Sequence, residues 1–153
     1  MDLMTDALFD LSDRVAVVSG AARGMGKAMS LALADAGADV LLIDLNEEGL
    51  QTTADEVRSL GRKAIAYRMD VAEPTEIRAM FARLDEEFGR IDFLGNVAGE
   101  GVRATPEEIT LDDIERSFRN LVVGRFCLCQ EAGRRMLAAG HGSIVNIGSL
   151  AAT

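Results

Sequence analysis

The stretch that decides the fold is SGAARGMG, residues 19–26, which follows a short β-branched run at Val15–Val18. Its glycine spacing is G-x-x-x-G-x-G, and a segment of helical character over residues 24–36, closed by Gly37, comes next. Glycine is needed where a Cβ would obstruct a tight strand-to-helix turn, and the helix that follows directs free N–H groups at an anion. The stretch therefore predicts a turn that binds a diphosphate.

Outward from this turn, apolar runs and amphipathic segments alternate along one domain, residues 1–153. The predicted strands are Val15–Val18, Val40–Ile43, Ala64–Met69, Ile91–Gly95 and Ser143–Ile147. The predicted helices are 24–36, Asn46 to Gly61, Pro74 to Gly89, and Thr105 or Thr110 to Ala139, with a loop over 96–105 before the last. Apolar strands that alternate with helices predict an α/β fold with a parallel sheet covered on both faces. Right-handed crossovers make it doubly wound, and we expect the strand order 3-2-1-4-5.

An acidic residue, Asp44, ends the second strand 18 residues after Gly26, close to the roughly 20 expected of an acid that binds a ribose 2′-OH. A carboxylate there favours NAD over NADP, whose 2′-phosphate it would repel, and the neighbouring Leu45 offers no compensating base. Arg23, inside the glycine turn, is the contrary sign, because a base there could bind a 2′-phosphate. We weigh Asp44 more heavily and predict NAD as the cofactor.

Several further segments, in order along the chain, resemble the short-chain dehydrogenase/reductase family. The glycine spacing is that of the family, Asp70-Val71 resembles its adenine contact, and Asn96-Val97-Ala98-Gly99 resembles its Asn-Asn-Ala-Gly motif, with Val97 in place of the second Asn. Within the family, the chain is similar to 3-oxoacyl-carrier-protein reductases and gluconate 5-dehydrogenases. The resemblance implies a Rossmann-type domain and an NAD(P)-dependent oxidoreductase that moves a hydride between nicotinamide and a secondary alcohol or ketone.

The resemblance also implies a set of site residues. Asn120 falls where the family places its catalytic Asn, and Ser149 falls where it places its catalytic Ser. The predicted cofactor-binding residues are Gly20, Arg23, Gly24, Met25, Gly26, Asp44, Leu45, Asp70, Val71, Asn96, Ala98 and Gly99. Asn96 has a second interpretation, since its amide could hold neighbouring strands together. A mid-helix Asn such as Asn120 is unfavourable by propensity, which invites a local kink or a bound water.

The family's Tyr-x-x-x-Lys pair has no counterpart in these residues. The single tyrosine, Tyr67, lies in the third predicted strand, and Val71 stands four residues on. The resemblance therefore covers about 60% of a family member, and we expect a sheet that is incomplete beyond the fifth strand and a chain that is inactive alone. An unpaired edge of that strand is an aggregation hazard, so we expect the isolated chain to be poorly soluble.

Composition excludes several classes of function. The formal net charge of −9 argues against nucleic acid and against an anionic membrane surface as partners. An acidic N-terminal stretch with Asp2, Asp6 and Asp10 is unlike a signal peptide, and no run approaches the roughly 20 apolar residues of a membrane span, so we expect a cytoplasmic protein. We predict no metal site, a small alcohol or ketone as substrate, and, by resemblance, a homodimer or homotetramer built on the long helix 110–139.

Two alternatives stay open at this point. One is a non-catalytic dinucleotide-binding module, which would bind NAD without alcohol-dependent turnover. The other is a methyltransferase, whose sheet can also carry a glycine-rich turn and an acid after the second strand. The run Glu131–Arg135 is interpreted as a solvated or subunit-facing helix surface.

Overall fold

The computed structural model describes residues 8–102 and 104–149 of the 153-residue chain, so Asp2 and Asp6 lie outside it. The strands are β1 (Val15–Ser19), β2 (Asp39–Asp44), β3 (Ala64–Arg68), β4 (Phe93–Asn96) and β5 (Ser143–Asn146). The helices are α1 (Gly24–Asp35), α2 (Glu47–Ser59), α3 (Pro74–Glu87), α4 (Leu111–Phe118) and α5 (Arg125–Ala139). A π-helical segment, Arg119–Gly124, joins α4 to α5.

The five strands form one parallel sheet in the order β3-β2-β1-β4-β5, which confirms the predicted order. The predicted ends of the strands are correct to within two residues. The largest difference is in β4, which begins at Phe93 rather than at Ile91 because its ladder with β1 starts at the pair Ala16 and Phe93. The carboxyl ends of all five strands therefore meet along one edge of the sheet.

Alternate side chains of the strands pack on opposite faces of the sheet, as strand geometry requires. On one face, Val17 and Leu41 pack in a cluster with residues of α3 and α5, including Phe81. On the other face, Val18 and Leu42 pack in a cluster with residues of α1 and α2. The sheet is thus covered on both faces, which explains why its central strands are apolar throughout.

Capping residues fix where several helices begin. The side chain of Asn46 accepts a hydrogen bond from the Gly49 N–H at 3.1 Å and caps α2, as predicted. Pro74 occupies the first turn of α3. Thr110 and Asp113 form a capping box at the start of α4, which settles the choice that the sequence left open between Thr110 and an earlier start.

The long helix predicted to end at Ala139 is interrupted. Residues 119–124 are π-helical, so α4 and α5 are two helices that meet at a local widening rather than one regular helix. A π-helical turn accommodates one extra residue without breaking the helical path, and such turns are frequent at functional sites. The kink suggested by a mid-helix Asn120 therefore falls inside an observed irregularity.

The prediction of a solvated surface over Glu131–Arg135 is wrong for Glu131, which is only 7% exposed. Its carboxylate accepts hydrogen bonds from Arg134 at 2.9 Å and Arg135 at 3.1 Å. Arg135 also donates to both oxygens of Asp85 on α3, at 2.8 and 2.6 Å. The charges can be buried because each is paired, and together they tie α5 to α3.

The two cysteines do not form a disulfide. Cys127 belongs to the core cluster under α5, and burial raises the pKa of its thiol. Cys129 lies on another side of the helix, where its Sγ is 3.3 Å from Nδ2 of Asn96. The spacing of two therefore separates the cysteines, as helical geometry dictates.

Candidate functional site

The glycine turn between β1 and α1 lies at the centre of the carboxyl edge of the sheet. Gly20 has a φ of +71°, which favours glycine, and a Cβ there would lie 2.9 Å from the Ala98 nitrogen. A Cβ at Gly26 would overlap the carbonyl oxygen of Gly20. Backbone atoms therefore pack directly against both glycines, and no side chain fits at either position.

The start of α1 faces the same edge of the sheet without a capping side chain in the described residues. Its N-cap residue, Arg23, is extended and makes no side-chain cap hydrogen bond. The first N–H groups of a helix have no intrahelical partner, and the helix dipole places partial positive charge beside them. This end of α1 is therefore suited to binding an anion.

Asp44 is the last residue of β2 and is held in place by two backbone amides. Its Oδ2 accepts a hydrogen bond from the Ala22 N–H at 3.2 Å, and its Oδ1 accepts one from the Asn46 N–H at 3.0 Å. Each carboxylate oxygen can accept further bonds, because an ionised carboxylate offers about four acceptor positions. Asp44 is thus oriented beside the glycine turn and still able to bind hydroxyl groups.

Asp70 and Val71 follow β3 at the same edge. The Oδ1 of Asp70 accepts a hydrogen bond from the Ala72 N–H at 2.8 Å, and the Asp70 N–H donates to Glu76 of α3 at 2.8 Å. These bonds fix a tight turn whose backbone lies against the π-helical segment, since a Cβ on Gly124 would overlap the Val71 carbonyl.

The loop after β4 is held from the side of β1 by Ser19, which is 1% exposed. The Ser19 hydroxyl oxygen accepts hydrogen bonds from the N–H groups of Val97 and Ala98, both at 3.1 Å, and it donates to the Gly95 carbonyl at 3.4 Å. Sequence reasoning missed this residue. The one signal for it is a polar side chain at the end of an otherwise apolar buried strand.

Asn96 is fully buried at the end of β4 and does not line the cleft described below. Its Nδ2 donates to the side-chain oxygen of Asn146 in β5 at 2.8 Å. This contact agrees with the interpretation that its amide holds neighbouring strands together. Its predicted part in cofactor binding stays a prediction.

Asn120 lies in the π-helical segment and lines the cleft. Its Oδ1 is buried and has no hydrogen-bond partner among the described residues. A buried acceptor without a partner is unfavourable by about 1–3 kcal/mol unless a water or a ligand satisfies it. Asn120 thus presents an acceptor that fits a water or a hydroxyl group.

Ser149 comes three residues after β5 at the same edge of the sheet, is exposed, and does not line the cleft. The loop that carries it is anchored at Ile147, whose N–H donates to the Asn96 carbonyl at 3.0 Å. The Ile147 carbonyl accepts a hydrogen bond from Arg125 at 2.5 Å. Ser149 therefore lies two residues after an anchored point of the chain, at the edge of the sheet that carries the cleft.

These elements enclose an open cleft of about 630 Å³, within the usual size range of small-molecule sites. The structure brings most predicted cofactor-binding residues together on its walls: Gly20, Arg23, Gly24, Met25, Gly26, Asp44, Leu45, Asp70, Val71, Ala98 and Gly99. Residues that sequence reasoning missed also line it: Met69, Val97, Glu100 and Gly101. They lie beside the predicted residues in the sequence, and their residue types do not by themselves indicate cofactor binding.

The residues present fit a dinucleotide. A narrow glycine cradle and the uncapped start of α1 suit a diphosphate, and Asp44 lies beside them to accept bonds from a sugar. Among the described side chains of the cleft, one is basic (Arg23) and three are acidic (Asp44, Asp70 and Glu100). Binding of a diphosphate there depends mainly on backbone amides rather than on paired side-chain charges.

A doubly wound parallel sheet with a glycine turn at its centre defines a Rossmann-type nucleotide-binding domain. The chain belongs to the short-chain dehydrogenase family, because the family model described as short chain dehydrogenase matches residues 14–153. This membership removes the methyltransferase alternative.

Named relatives of the chain are dehydrogenases and oxidoreductases. The chain is 40% identical to the D-threitol dehydrogenase of Mycolicibacterium smegmatis, over 99% of this chain and 58% of that protein. It matches NAD⁺-bound xylitol dehydrogenase with a TM-score of 0.87 and 33% identity, over 92% of this chain and 55% of the other. It matches a metagenomic short-chain oxidoreductase in complex with NADP with a TM-score of 0.88 and 31% identity, over 92% and 64%. The chain thus spans less than two thirds of each.

Two features of the described residues concern membranes and metal ions. In residues 8–102 and 104–149, no helix is long and apolar enough to cross a membrane. In the same ranges, no three side chains of His, Cys, Asp or Glu gather as metal ligands.

Proposed function

We propose that the protein is an NAD-dependent oxidoreductase that interconverts a secondary alcohol and a ketone. The observation that carries this proposal is the Asp44 carboxylate, held by the N–H groups of Ala22 and Asn46 beside the glycine turn. A carboxylate there accepts hydrogen bonds from the ribose 2′-OH of NAD. It repels the 2′-phosphate of NADP by roughly 4 kcal/mol per unit charge at about 4 Å, for an effective dielectric near 20.

Each wall of the cleft has a proposed part in holding the cofactor. The first N–H groups of α1 and the turn from Gly20 to Gly26 bind the diphosphate, Asp44 binds the adenosine ribose, and Asp70 with Val71 contacts the adenine. The bound nicotinamide supplies the hydride exchange with the alcohol carbon. The Ser149 hydroxyl donates a hydrogen bond to the substrate oxygen, and Oδ1 of Asn120 accepts one from a water that passes a proton to solvent.

We propose a small polyol as the substrate class. The names of the relatives support it, since threitol and xylitol are both polyols. We also propose a cytoplasmic location.

A non-catalytic dinucleotide-binding module is the second candidate. Tyr67, the single tyrosine of residues 1–153, packs from β3 against the core cluster and does not line the cleft, so it is not placed to act there as an acid or base. A chain that binds NAD but has no acid–base pair would sense or store the cofactor rather than turn it over.

We propose a homodimer or homotetramer that uses an apolar stripe on α4, the π-helical segment and α5. The α4–α5 stripe consists of large apolar side chains at helical spacing that are 44–77% exposed: Leu111, Ile114, Phe118, Val122 and Phe126. Exposed apolar patches of this kind mark contact surfaces in soluble proteins. A second copy of the chain would bury the stripe against its own.

Calorimetry on the full gene product tests the cofactor proposal. We expect NAD⁺ to bind at least about 10-fold more tightly than NADP⁺, because the electrostatic difference exceeds 1.4 kcal/mol. Asp44→Ser should remove this preference, while Asp55→Ser, at an exposed acid on α2, should leave it unchanged. The proposal fails when the folded protein binds neither nucleotide.

A turnover assay separates the two candidate functions. We expect the full gene product to form NADH from NAD⁺ and at least one polyol of a panel that includes threitol, xylitol and glycerol. Binding of NAD⁺ without alcohol-dependent NADH formation across the panel would instead favour the non-catalytic module.

A further inference from the structure

Arg125 joins the loops that follow β4 and β5. It is the first residue of α5, directly after the π-helical segment. Its Nη1 donates a hydrogen bond to the Ile147 carbonyl at 2.5 Å, and its Nη2 donates one to the Ala98 carbonyl at 3.1 Å. One guanidinium therefore links two backbone segments that are far apart in sequence.

Both linked segments carry residues of the proposed site. Ala98 lines the cleft and precedes Gly99, while Ile147 lies two residues before Ser149. The loop also packs closely against the arginine at Gly99, because a Cβ on Gly99 would lie 3.0 Å from Nη2 of Arg125. The arginine thus fixes both the direction of the carbonyl groups and the closeness of the loop to the helix.

The linked segments lie at the half of the cleft away from Asp44. The proposed adenosine-binding residues follow β2 and β3, at one end of the strand order. The proposed diphosphate-binding turn follows β1, at the centre. A dinucleotide that crosses the glycine turn must therefore place its other half over β4 and β5. Arg125 consequently contacts the part of the site proposed to bind the nicotinamide half of the cofactor, not the part proposed to bind the adenosine.

Stability alone does not account for an arginine at this position. Its Nε is buried and has no hydrogen-bond partner among the described residues, and its guanidinium forms no ion pair with a carboxylate of residues 8–102 and 104–149. A partly desolvated charge without a carboxylate is costly, and an apolar side chain of similar length would fill the space without that cost. What arginine provides is a rigid planar fork whose donors can bind two acceptors in fixed directions.

We propose that Arg125 is a positioning residue that fixes the loop of Ala98 and Gly99 relative to the loop of Ile147 and Ser149. It thereby sets where the Ser149 hydroxyl lies with respect to the reactive half of the bound cofactor. The proposal rests on the proposed oxidoreductase function for its effect on catalysis. Its structural part, the ordering of the two loops, is independent of that function.

The first test compares Arg125→Met with Arg125→Lys in the full gene product, with Arg116→Met, at an exposed arginine of α4, as the matched control. For Arg125→Met we expect kcat to fall by about 10-fold to 100-fold, since a displacement of about 1 Å can have that effect. The Kd for NAD⁺ should stay within about threefold, because Asp44 and the glycine turn are intact. The kinetic isotope effect on kcat with the C-deuterated alcohol should rise, which a general loss of folded protein would not cause.

Partial rescue provides a second catalytic readout. Arg125→Lys keeps the charge but not the fork, so its kcat should lie between those of the wild type and Arg125→Met. Guanidinium ions at millimolar concentration should raise the kcat of Arg125→Ala and leave the wild type unchanged. An unaltered kcat per NAD⁺-binding site in Arg125→Met would overturn the catalytic part of the proposal while leaving the proposed function in place.

A third readout does not need turnover. Amide hydrogen exchange in the absence of cofactor should become at least about 10-fold faster at Gly99, Gly148 and Ser149 in Arg125→Met, and unchanged in Arg116→Met. Unchanged exchange at these amides would overturn the proposal even in an active enzyme. A wild type without any NAD-dependent turnover but with the expected exchange pattern would instead defeat the oxidoreductase function and keep the positioning role.

Discussion

The hydroxyl of Ser19 holds the loop after β4 to the end of β1 through two hydrogen bonds, and it makes a third to Gly95 of β4. A hydroxyl can serve as both donor and acceptor, and here it satisfies two backbone N–H groups that face the buried end of a strand. The loop in question carries Val97 and Ala98, both on the wall of the cleft. A side chain that does not itself line the cleft thus helps to fix the shape of the cleft.

Ser19→Ala should lower the free energy of unfolding by about 1–3 kcal/mol, because the Val97 and Ala98 N–H groups lose their acceptor. Ser59→Ala, which removes an exposed hydroxyl on α2, should change it by less than about 0.5 kcal/mol. Urea unfolding at constant m-value measures both. Equal midpoints for the two variants would show that the loop finds other partners.

Asp92 is a partly buried acid at the opposite edge of the sheet, with a side chain that is 9% exposed. Burial by itself would raise its pKa, but hydrogen bonds from Arg90, the Val15 N–H and Arg14 outweigh burial and hold the pKa of Asp92 below its ordinary value. A carboxyl group with a lowered folded-state pKa stabilises the fold at every pH above its unfolded pKa of about 3.9, and this contribution is lost as the pH falls through the folded value.

Asp92→Asn should therefore destabilise the protein by about 1–2 kcal/mol at pH 7, since the Val15 N–H and two partly exposed arginines lose a charged acceptor. The difference from the wild type should shrink as the pH falls below about 4. Asp55→Asn, at an exposed acid paired with Arg58, should lose at most about 1 kcal/mol at pH 7. Denaturant titrations across this pH range check the prediction, and a difference that is constant with pH would contradict the assigned cause.

The π-helical segment is the element that brings Asn120 to the cleft. Gly124, at its end, packs against the carbonyl of Val71 so closely that no side chain fits. Gly133, further along α5, has open space around the position of a Cβ. The two glycines thus differ in role although both lie in helical structure.

Gly124→Ala should destabilise the protein by about 1–3 kcal/mol, because the added methyl group forces the segment away from the turn after β3. The same variant should weaken NAD⁺ binding, since Val71 lines the cleft. Gly133→Ala should instead raise stability by up to about 1 kcal/mol, as alanine favours a helix. Thermal melts and calorimetry with NAD⁺ compare the pair, and a common sign of the two stability changes would refute the packing argument.

The sequence predicted the helices and strands and most of the residues of the cleft because these depend on local chemistry. Residue type and spacing were enough to predict the glycine turn, the cap at Asn46 and the acid Asp44. For the interruption at residues 119–124, the sequence offers only the mid-helix Asn120, which suggests a kink but not a π-helical turn, because helical periodicity tolerates one extra residue without a change in composition. The burial of Glu131 was also beyond the sequence, since it depends on Asp85 and Arg135 meeting across two helices.

On the scale of the whole molecule, two surfaces of the described residues leave apolar side chains or strand edges uncovered. They are the exposed α4–α5 stripe and the outer edge of β5. The Val145 side chain of β5 is 36% exposed, although it is a β-branched residue in a parallel sheet. Parallel strands are normally buried on both faces, so both surfaces favour association with further protein.

In the full gene product, Phe118→Glu combined with Phe126→Glu should convert the proposed oligomer into a smaller species, because two charges would be placed in an apolar contact. Leu60→Glu, at an exposed apolar residue at the end of α2, should leave the assembly unchanged. Sedimentation velocity measures the masses. An assembly of unaltered mass in the double variant would show that another surface holds the copies together.

The contact between Ser19 and Gly95 spans 76 positions of the chain, with three crossovers between β1 and β4. During synthesis at about 5–20 residues per second, the ribosome releases β1 roughly 4–15 s before it releases β4. For that interval β1 can pair only with β2, and its other side is open to solvent or to a chaperone. Nascent chains stalled near residue 90 should therefore bind chaperones more strongly than chains stalled well beyond β4.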